Sequence, residues 1–377
     1  MKYSLSVATL LLIATCGVAV NSSLQASNAE PVTTSSGNST LPDAIWEGNA
    51  RVRGVLRSTT DFSRPEKFEL MQGGAGTQRT NFDRNAYSHE MTTLGFEGLK
   101  TFKLGNALFN KFWVASPSST QASDGLGPFY NARACQSCHI KDGRGQVPQS
   151  DEKTASLVIQ LKNSGNGQWG PDPTYGAQFQ TSAVPGVEAE GLVSITYDTV
   201  TKTFNDGSKH GLRKPTYTLE KLAYGDLHPE TILSPRLASA VHGLGLLESI
   251  DDAHVLAYAD PDDSDGDGIS GRPNWQLLEN GQRKLGRFGH KAAMSSIREQ
   301  NAHALFTDMG LSSSTDTLSN PHGDCTSAQR ICNSLAHGEQ SRLDKGEAPD
   351  QVVDLITFYT QNLAVPARRD VSDPDIL

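Results

Sequence analysis

Cys135-Gln136-Ser137-Cys138-His139 is the stretch on which the reading of this chain turns. Two thiols separated by two residues and followed at once by an imidazole are what covalent haem attachment requires. The sulfurs add to the two haem vinyl groups and the histidine binds the iron. Two other chemistries use similar spacings. A thioredoxin-like redox pair places C-x-x-C at a helix start behind a buried strand of a βαβ unit, whereas here residues 125–133 form a Gly-, Pro- and Asn-containing approach. A zinc site needs a second pair of ligands at knuckle spacing, and Cys325 and Cys332 are too far apart for that. The motif therefore points to one haem c in this chain, held by Cys135 and Cys138 with His139 as the proximal iron ligand.

The sixth iron position stays open at this stage. Met309, in Thr307-Asp308-Met309-Gly310, sits in a turn-like stretch ahead of the last helix, and His290 closes Arg287-Phe288-Gly289-His290. Either is a distal candidate, and each reads equally well as a core methionine and a surface histidine. A vacant position that accepts peroxide is the third alternative.

Working outward from the motif, Phe96, Leu99, Phe102, Leu108, Phe109 and Phe112 recur at helical spacing, interrupted at Gly105. Val352, Leu355, Ile356, Tyr359 and Leu363 repeat the pattern near the end, before Pro366. Helix, motif and last helix come in the order of a cytochrome c core. Between them, residues 156–161 and 192–197 read as strands, Asn205-Asp206-Gly207 as a hairpin turn and residues 216–219 as a further strand. Helices are expected to resume at Ser234-Pro235, an N-cap followed by proline at the first helical position. The expected fold is a mainly α cytochrome c-like core with a small inserted antiparallel β-sheet (α+β). It covers residues 86–377, with the insertion at about 155–225 and an acidic loop at 260–274. That loop sets Asp263, Asp265 and Asp267 at alternate positions among glycines, as a Ca²⁺ loop would. Asn274 stands where an EF-hand has its bidentate glutamate, and the alternative is a solvated acidic turn.

Residues 1–29 read as a signal peptide, with Lys2, an uncharged apolar run from Leu5 to Val20 and Ser27-Asn28-Ala29 for cleavage. Residues 30–85 read as an extended leader. Export implies the periplasm, with lipid anchoring at Cys16 as a variant of that address. In an oxidising compartment Cys325 and Cys332 are expected to form a disulfide, the alternative being two free thiols. The 377 residues carry a net charge of -9 and 36% hydrophobic residues. That charge excludes nucleic acid as the expected partner, and no later apolar run is long enough to span a membrane. A redox partner protein or a small oxidant fits better.

Several stretches together carry a resemblance. They are Gly105–Asn110, Asp124–Arg133 running into the C-x-x-C-H, Lys141-Asp142-Gly143-Arg144-Gly145, Gly243–Glu248, Asp267–Asn274, Gly286–Gly289, Asp308-Met309-Gly310 and Leu363–Arg369. With these the chain resembles, from about residue 80 onward, the bacterial di-haem oxidoreductase family. Its members bear thiol oxidoreductase or peroxidase labels and look like distant relatives of di-haem cytochrome c peroxidases. The resemblance implies a periplasmic haem oxidoreductase with peroxidase-like chemistry, in which one haem relays an electron to another. It also implies a second C-x-x-C-H domain beyond a Leu363–Arg369-like segment. This chain ends at Leu377 with no cysteine after Cys332, so the second haem is expected outside it, unless this is a one-haem variant. An electron carrier with no substrate of its own, and thiol–disulfide exchange at Cys135 and Cys138, are the alternative functions. Thioether formation would consume both sulfurs and exclude the latter.

Overall fold

Helix α1 (Phe96–Asn110) and helix α6 (Asp350–Gln361) carry most of the helical apolar surface and lie against each other. Phe102, Gly105 and Phe109 of α1 are buried at helical spacing, and Ile356 and Tyr359 of α6 meet them. The Phe102 and Tyr359 rings stand 4.8 Å apart, and those of Phe109 and Tyr359 5.2 Å. Gly105 does not interrupt the helix. A Cβ there would lie 2.2 Å from the Leu355 carbonyl oxygen and 2.7 Å from Tyr359 Cβ, so glycine is what lets the two backbones cross this closely.

The structure is a computed structural model. It describes residues 59–376 apart from positions 67, 81, 82, 121, 122, 150–154, 166–168, 265, 279, 315–322, 337 and 339–345. These described residues fall within one compact unit, Leu41–Leu377. The signal segment, Cys16 and residues 30–58 of the expected leader lie outside them. The described end of the leader runs along the C-terminal segment. Gln78 N–H donates to Val365 O (3.0 Å), Ala367 N–H donates to Gln78 O (2.8 Å), and Arg368 pairs with Glu69.

The remaining helices among the described residues are α2 (Cys135–Cys138), α3 (Leu244–Glu248), α4 (Asp252–Leu256) and α5 (Ile297–Met309). The start of α5 is fixed by Ser296, whose hydroxyl accepts from Glu299 N, while the Glu299 carboxylate accepts from Ser295 N. Its end is fixed by Gly310 at φ +70°, the left-handed stop that glycine adopts without cost. Met309 is thus the last residue of a helix, not part of a turn-like stretch. Among the described residues no helix is long and apolar enough to cross a membrane.

Strands are β1 (Phe129–Tyr130), β2 (Leu157–Asn163), β3 (Gln178–Phe179), β4 (Ser182–Ala183), β5 (Leu192–Thr203), β6 (Lys209–Glu220), β7 (Thr231–Leu237), β8 (Trp275–Leu277) and β9 (Arg283–Leu285). They form four small antiparallel sheets, ordered β1-β4, β3-β2-β7, β5-β6 and β8-β9. The expectation of a mainly α cytochrome c core is therefore corrected. Among the described residues helix and strand take equal shares, 22% each, and no helical cytochrome core stands out. The physical reason is that, among the described residues, only α1, α5 and α6 exceed five residues. The motif itself supplies a single helical turn, and the long stretch between it and α5 satisfies its backbone largely through strand pairing.

Ser234-Pro235 is the clearest local reversal. The pair lies inside β7, in register with β2 from Leu157↔Leu237 to Asn163↔Thr231, with Pro235 opposite Ile159. β7 is an edge strand, where the missing proline N–H spoils no second ladder. The sheet consequently extends to Leu237, past the residue-225 limit of the expected insertion. Along β2, Ile159 and Leu161 point into a small core with Tyr175 and Phe179, and Val158 and Gln160 face the other way.

Candidate functional site

The face of the sheet bearing Val158 and Gln160 lines a cavity of about 340 Å³. The other walls come from Phe109 of α1, from Cys135, Cys138 and His139, from the inward side of α5 and from the loop at 287–290. The three motif residues and both distal candidates, His290 and Met309, are brought to this one cavity although they lie up to 174 positions apart in the chain (from 135 to 309).

Local backbone geometry sets the motif. One helical turn runs from Cys135 to Cys138, and His139 N–H donates to Cys135 O (3.0 Å). The turn presents both thiols and the imidazole to the same space. Neither cysteine is in a disulfide. Cys138 Sγ donates to Ala155 O at 2.9 Å, and Cys135 packs against the clusters formed by Trp113, Leu305 and Met309 on one side and by Phe102, Phe109 and Tyr359 on the other. Burial pushes the Cys135 thiol up to about 12, with the nearby Asp308 carboxylate adding to the effect. Cys138 is raised for the same two reasons in the same order.

His139 Nδ1–H donates to the Ser239 carbonyl at 2.6 Å. A carbonyl can only accept, so this bond places the proton on Nδ1 and leaves Nε2 with a free lone pair. Burial holds the imidazole below its ordinary pKa, against the opposing pull of the Ser239 bond and of Asp308 and Asp142. The ring is therefore neutral, which is its metal-binding form. The Phe109 ring lies 6.3 Å away.

The chain leaves the motif through a strained link. Lys141 and Asp142 have φ of +52° and +61°, uncommon for residues with a Cβ. Three contacts hold it there. Asp142 Oδ1 accepts from Tyr359 OH (2.8 Å), Tyr359 OH accepts from Asn106 Nδ2 (3.1 Å), and Asp142 O accepts from Val241 N–H (3.0 Å). Burial raises the Asp142 carboxyl above the usual range, partly offset by its bonds to Ser88 and Tyr359. Tyr359→Phe removes the donor and leaves a buried carboxylate oxygen under-satisfied. The expected loss is about 1–3 kcal/mol in urea unfolding; a midpoint equal to the parent's would show that the bond carries no load.

The two distal candidates differ in their surroundings. Met309 is 2% exposed and sits among Trp113, Leu126, Leu305 and Val353. His290 is exposed, and its Nε2–H donates to Leu237 O at 2.9 Å, which leaves Nδ1 as its available nitrogen. Cys325 and Cys332 are bonded to each other as a disulfide away from this cavity wall. In the acidic loop, Asp263 Oδ1 accepts from Gly268 N and Asp267 Oδ1 from Ile269 N, while Asp265 lies outside the described residues. Among the described residues no group of three or more Asp, Glu, His or Cys side chains is placed to hold a metal ion.

Sequence reasoning missed His303, Asp308, Gln178 and Arg236, all of which line the cavity. Gln178 Nε2 donates to Asp308 Oδ1 at 2.7 Å, and burial raises the Asp308 carboxyl against that bond and the nearby His303 and His139. A signal for two of them was present. Ile297, Gln300, His303, Ala304, Thr307 and Asp308 repeat at helical spacing along α5, and all line the cavity. Gln178 and Arg236 sit on strands whose pairing no local pattern reveals.

Comparison with known proteins agrees with this arrangement of motifs. A family model described as "Di-haem oxidoreductase, putative peroxidase" matches residues 70–164 and 177–377. Searches of curated proteins and of solved structures return no significant match. The family match spans the C-x-x-C-H, both distal candidates, α1, α5 and α6, and well over half of the chain. On that match, this chain belongs to the di-haem oxidoreductase family.

Proposed function

We infer that this chain is an exported c-type haem oxidoreductase, with one haem bound through Cys135 and Cys138 and its iron held by His139 Nε2. The observation that carries this reading is the Nδ1–H bond of His139 to Ser239 O, 2.6 Å, beside two unbridged thiols on one cavity. The donor set fits the group. Two unbridged thiols and a neutral imidazole whose Nδ1 is committed line one cavity, and Phe109, Val241, Leu244, Leu305 and Ile356 supply apolar wall for a porphyrin. When bound, the haem supplies one-electron chemistry at its iron.

This chain's own residues do the rest. The Ser239 carbonyl fixes the imidazole's tautomer and orientation and raises its basicity toward a metal. The Asp142–Tyr359 bond holds the motif loop against α1 and α6. The walls named above are apolar, and two lining residues, Gly289 and His290, are exposed. The family description supports a peroxide as the oxidant. Its reduction to two waters takes two electrons and two protons, the electrons coming from a redox partner protein. The periplasm suits both covalent haem attachment and the Cys325–Cys332 bridge.

A specific observation favours a second reading, that of an electron carrier. Met309 lies buried on the cavity wall, where its thioether could close the sixth position. Thiol–disulfide exchange is disfavoured by the raised thiols. Burial keeps Cys135 protonated at neutral pH, and the thiolate is the form that exchanges.

The test is optical. The chain is produced in a host competent for cytochrome c maturation, extracted with acid–acetone, and examined as the reduced pyridine complex. Retained haem at one per chain is expected, and a colourless precipitate would end the reading. A high-spin spectrum that responds to peroxide would separate the enzyme from a low-spin, methionine-closed carrier.

A further inference from the structure

We propose that Arg236 anchors a haem propionate, making the β2–β7 face the propionate side of the cavity. The inference rests on the haem reading above and adds a residue to it.

Two arginines line the cavity, Arg236 and Arg287. Arg287 is consumed by the protein. Its Nη1 donates to Leu247 O (3.0 Å) and to Ile250 O, and its Nη2 pairs with Asp252, so it ties the end of α3 to the start of α4. Arg236 is in the opposite condition. Its Nη1 donates to the carbonyl of its own neighbour Pro235 (3.0 Å), and its Nε–H is buried with no partner. A buried guanidinium N–H left without an acceptor has lost its water and gained nothing in return. Such a group is retained where something else completes it.

The protein does not supply that something among the described residues. Asp308 is the carboxylate on the cavity wall, and it is engaged by Gln178. The strand register places Arg236 opposite Val158 on β2, two pairs from the Gln160–Ser234 rung and so on the same face, with Gln178 paired to Gln160 on the far side. Ile159 and Leu161 turn to the small core behind the sheet, so the cavity face of this sheet carries amide donors and one guanidinium. The planar edge of a guanidinium, Nε–H with one Nη–H, matches a carboxylate in a two-point bond. A haem brings two carboxylates into a cavity that is otherwise largely apolar. Arg236 offers the cation with unused donors.

The test uses the full chain matured with haem, as Arg236→Gln and Arg236→Lys. Pyridine haemochrome after acid–acetone extraction first confirms that each protein still holds covalent haem. Resonance Raman then reads the propionate bending band, and a spectroelectrochemical titration reads the midpoint potential. In Arg236→Gln the band is expected to shift and the midpoint to fall. Removing a positive charge favours the oxidised, more positive iron, and a tenfold change in that preference corresponds to ~59 mV for one electron. Arg236→Lys keeps the charge but not the fork. Its band should shift while its midpoint stays near the parent's, and it serves if the glutamine variant does not accumulate. Covalent haem with the parental band in both variants would overturn the proposal, because an anion other than a propionate, or water, would then be the partner. Absence of covalent haem in the parent would instead remove the haem reading itself, so the two failures are distinguishable.

Discussion

Gly105→Ala is expected to destabilise the protein by about 3 kcal/mol, the upper end for overpacking a close contact. In isolation the change should help, since alanine is a better helix former than glycine by ~1 kcal/mol. The sign is decided by what the new methyl group meets. Its nearest neighbours would be the Leu355 carbonyl oxygen at 2.2 Å and Tyr359 Cβ at 2.7 Å. Those are atoms of the α6 backbone and its first side-chain carbon, which cannot rotate away, so α1 and α6 must separate. Gly98, in the first turn of the same helix, is the internal control. A Cβ there would meet Leu94 Cδ2 at 3.1 Å, the tip of a flexible side chain, and Gly98→Ala should be neutral or stabilising by up to ~1 kcal/mol. Urea unfolding of both variants checks the pair. Equal midpoints would mean that the helix crossing tolerates a side chain and that the packing argument is wrong.

Stability is expected to fall as pH rises from 6.5 to 8, by about 2 kcal/mol. Two buried glutamates set the direction. Burial raises Glu190 from its ordinary 4.5 to about 8, against the Gln180 N–H (2.5 Å) and Gln329 Nε2 bonds that favour its charged form. Burial likewise raises Glu347 to about 7, against bonds from Ser312 and Gly338 and with Asp124 adding to the rise. Because these folded-state values lie above the unfolded ones, the native protein holds protons that the unfolded chain has released. The stabilisation is complete below pH 4.5 and is lost as pH climbs through 7 and then 8. Below 6.5 two histidines act in the other direction. Burial lowers His139 and His242 beneath their ordinary 6.5, so their contribution is lost on acidification and blurs the slope there. Above 6.5 the histidines' opposing contribution fades and the carboxyls dominate among these shifted groups. Glu190→Gln keeps an acceptor oxygen and removes the titration, so it should flatten the upper part of the profile. Urea midpoints taken at half-unit steps test this, and an identical slope in parent and variant would refute the assignment to Glu190.

The family match bears on how far the chemistry of the cavity can be taken. Its description names two haems, and the 377 residues contain one C-x-x-C-H, at Cys135–His139. The cavity described above accounts for that motif and for no second one. The thiol oxidoreductase reading draws on the same two sulfurs. It would require them to be ionisable, and the burial of both, Cys135 among Trp113, Phe109 and Tyr359, works against that.

What the sequence determined by itself was local. The C-x-x-C-H spacing, the helical repeat from Phe96 to Phe109 and the repeat from Val352 to Tyr359 are each written within a few turns of chain, where periodicity suffices. Tertiary structure decided whatever depended on a distant partner. Ser234-Pro235 carries a sound helix-start signal, but pairing with Gln160 and Ile159, more than 70 positions earlier, makes it strand. Repeated over β2 to β7, that kind of pairing shifted the whole balance from mainly helical to equal helix and strand. Gly105 looked like a break because its use lies in the backbone of α6. His303, Asp308 and Arg236 acquired their places because burial and the direction of a side chain follow from what folds over it, and chain neighbours do not carry that information.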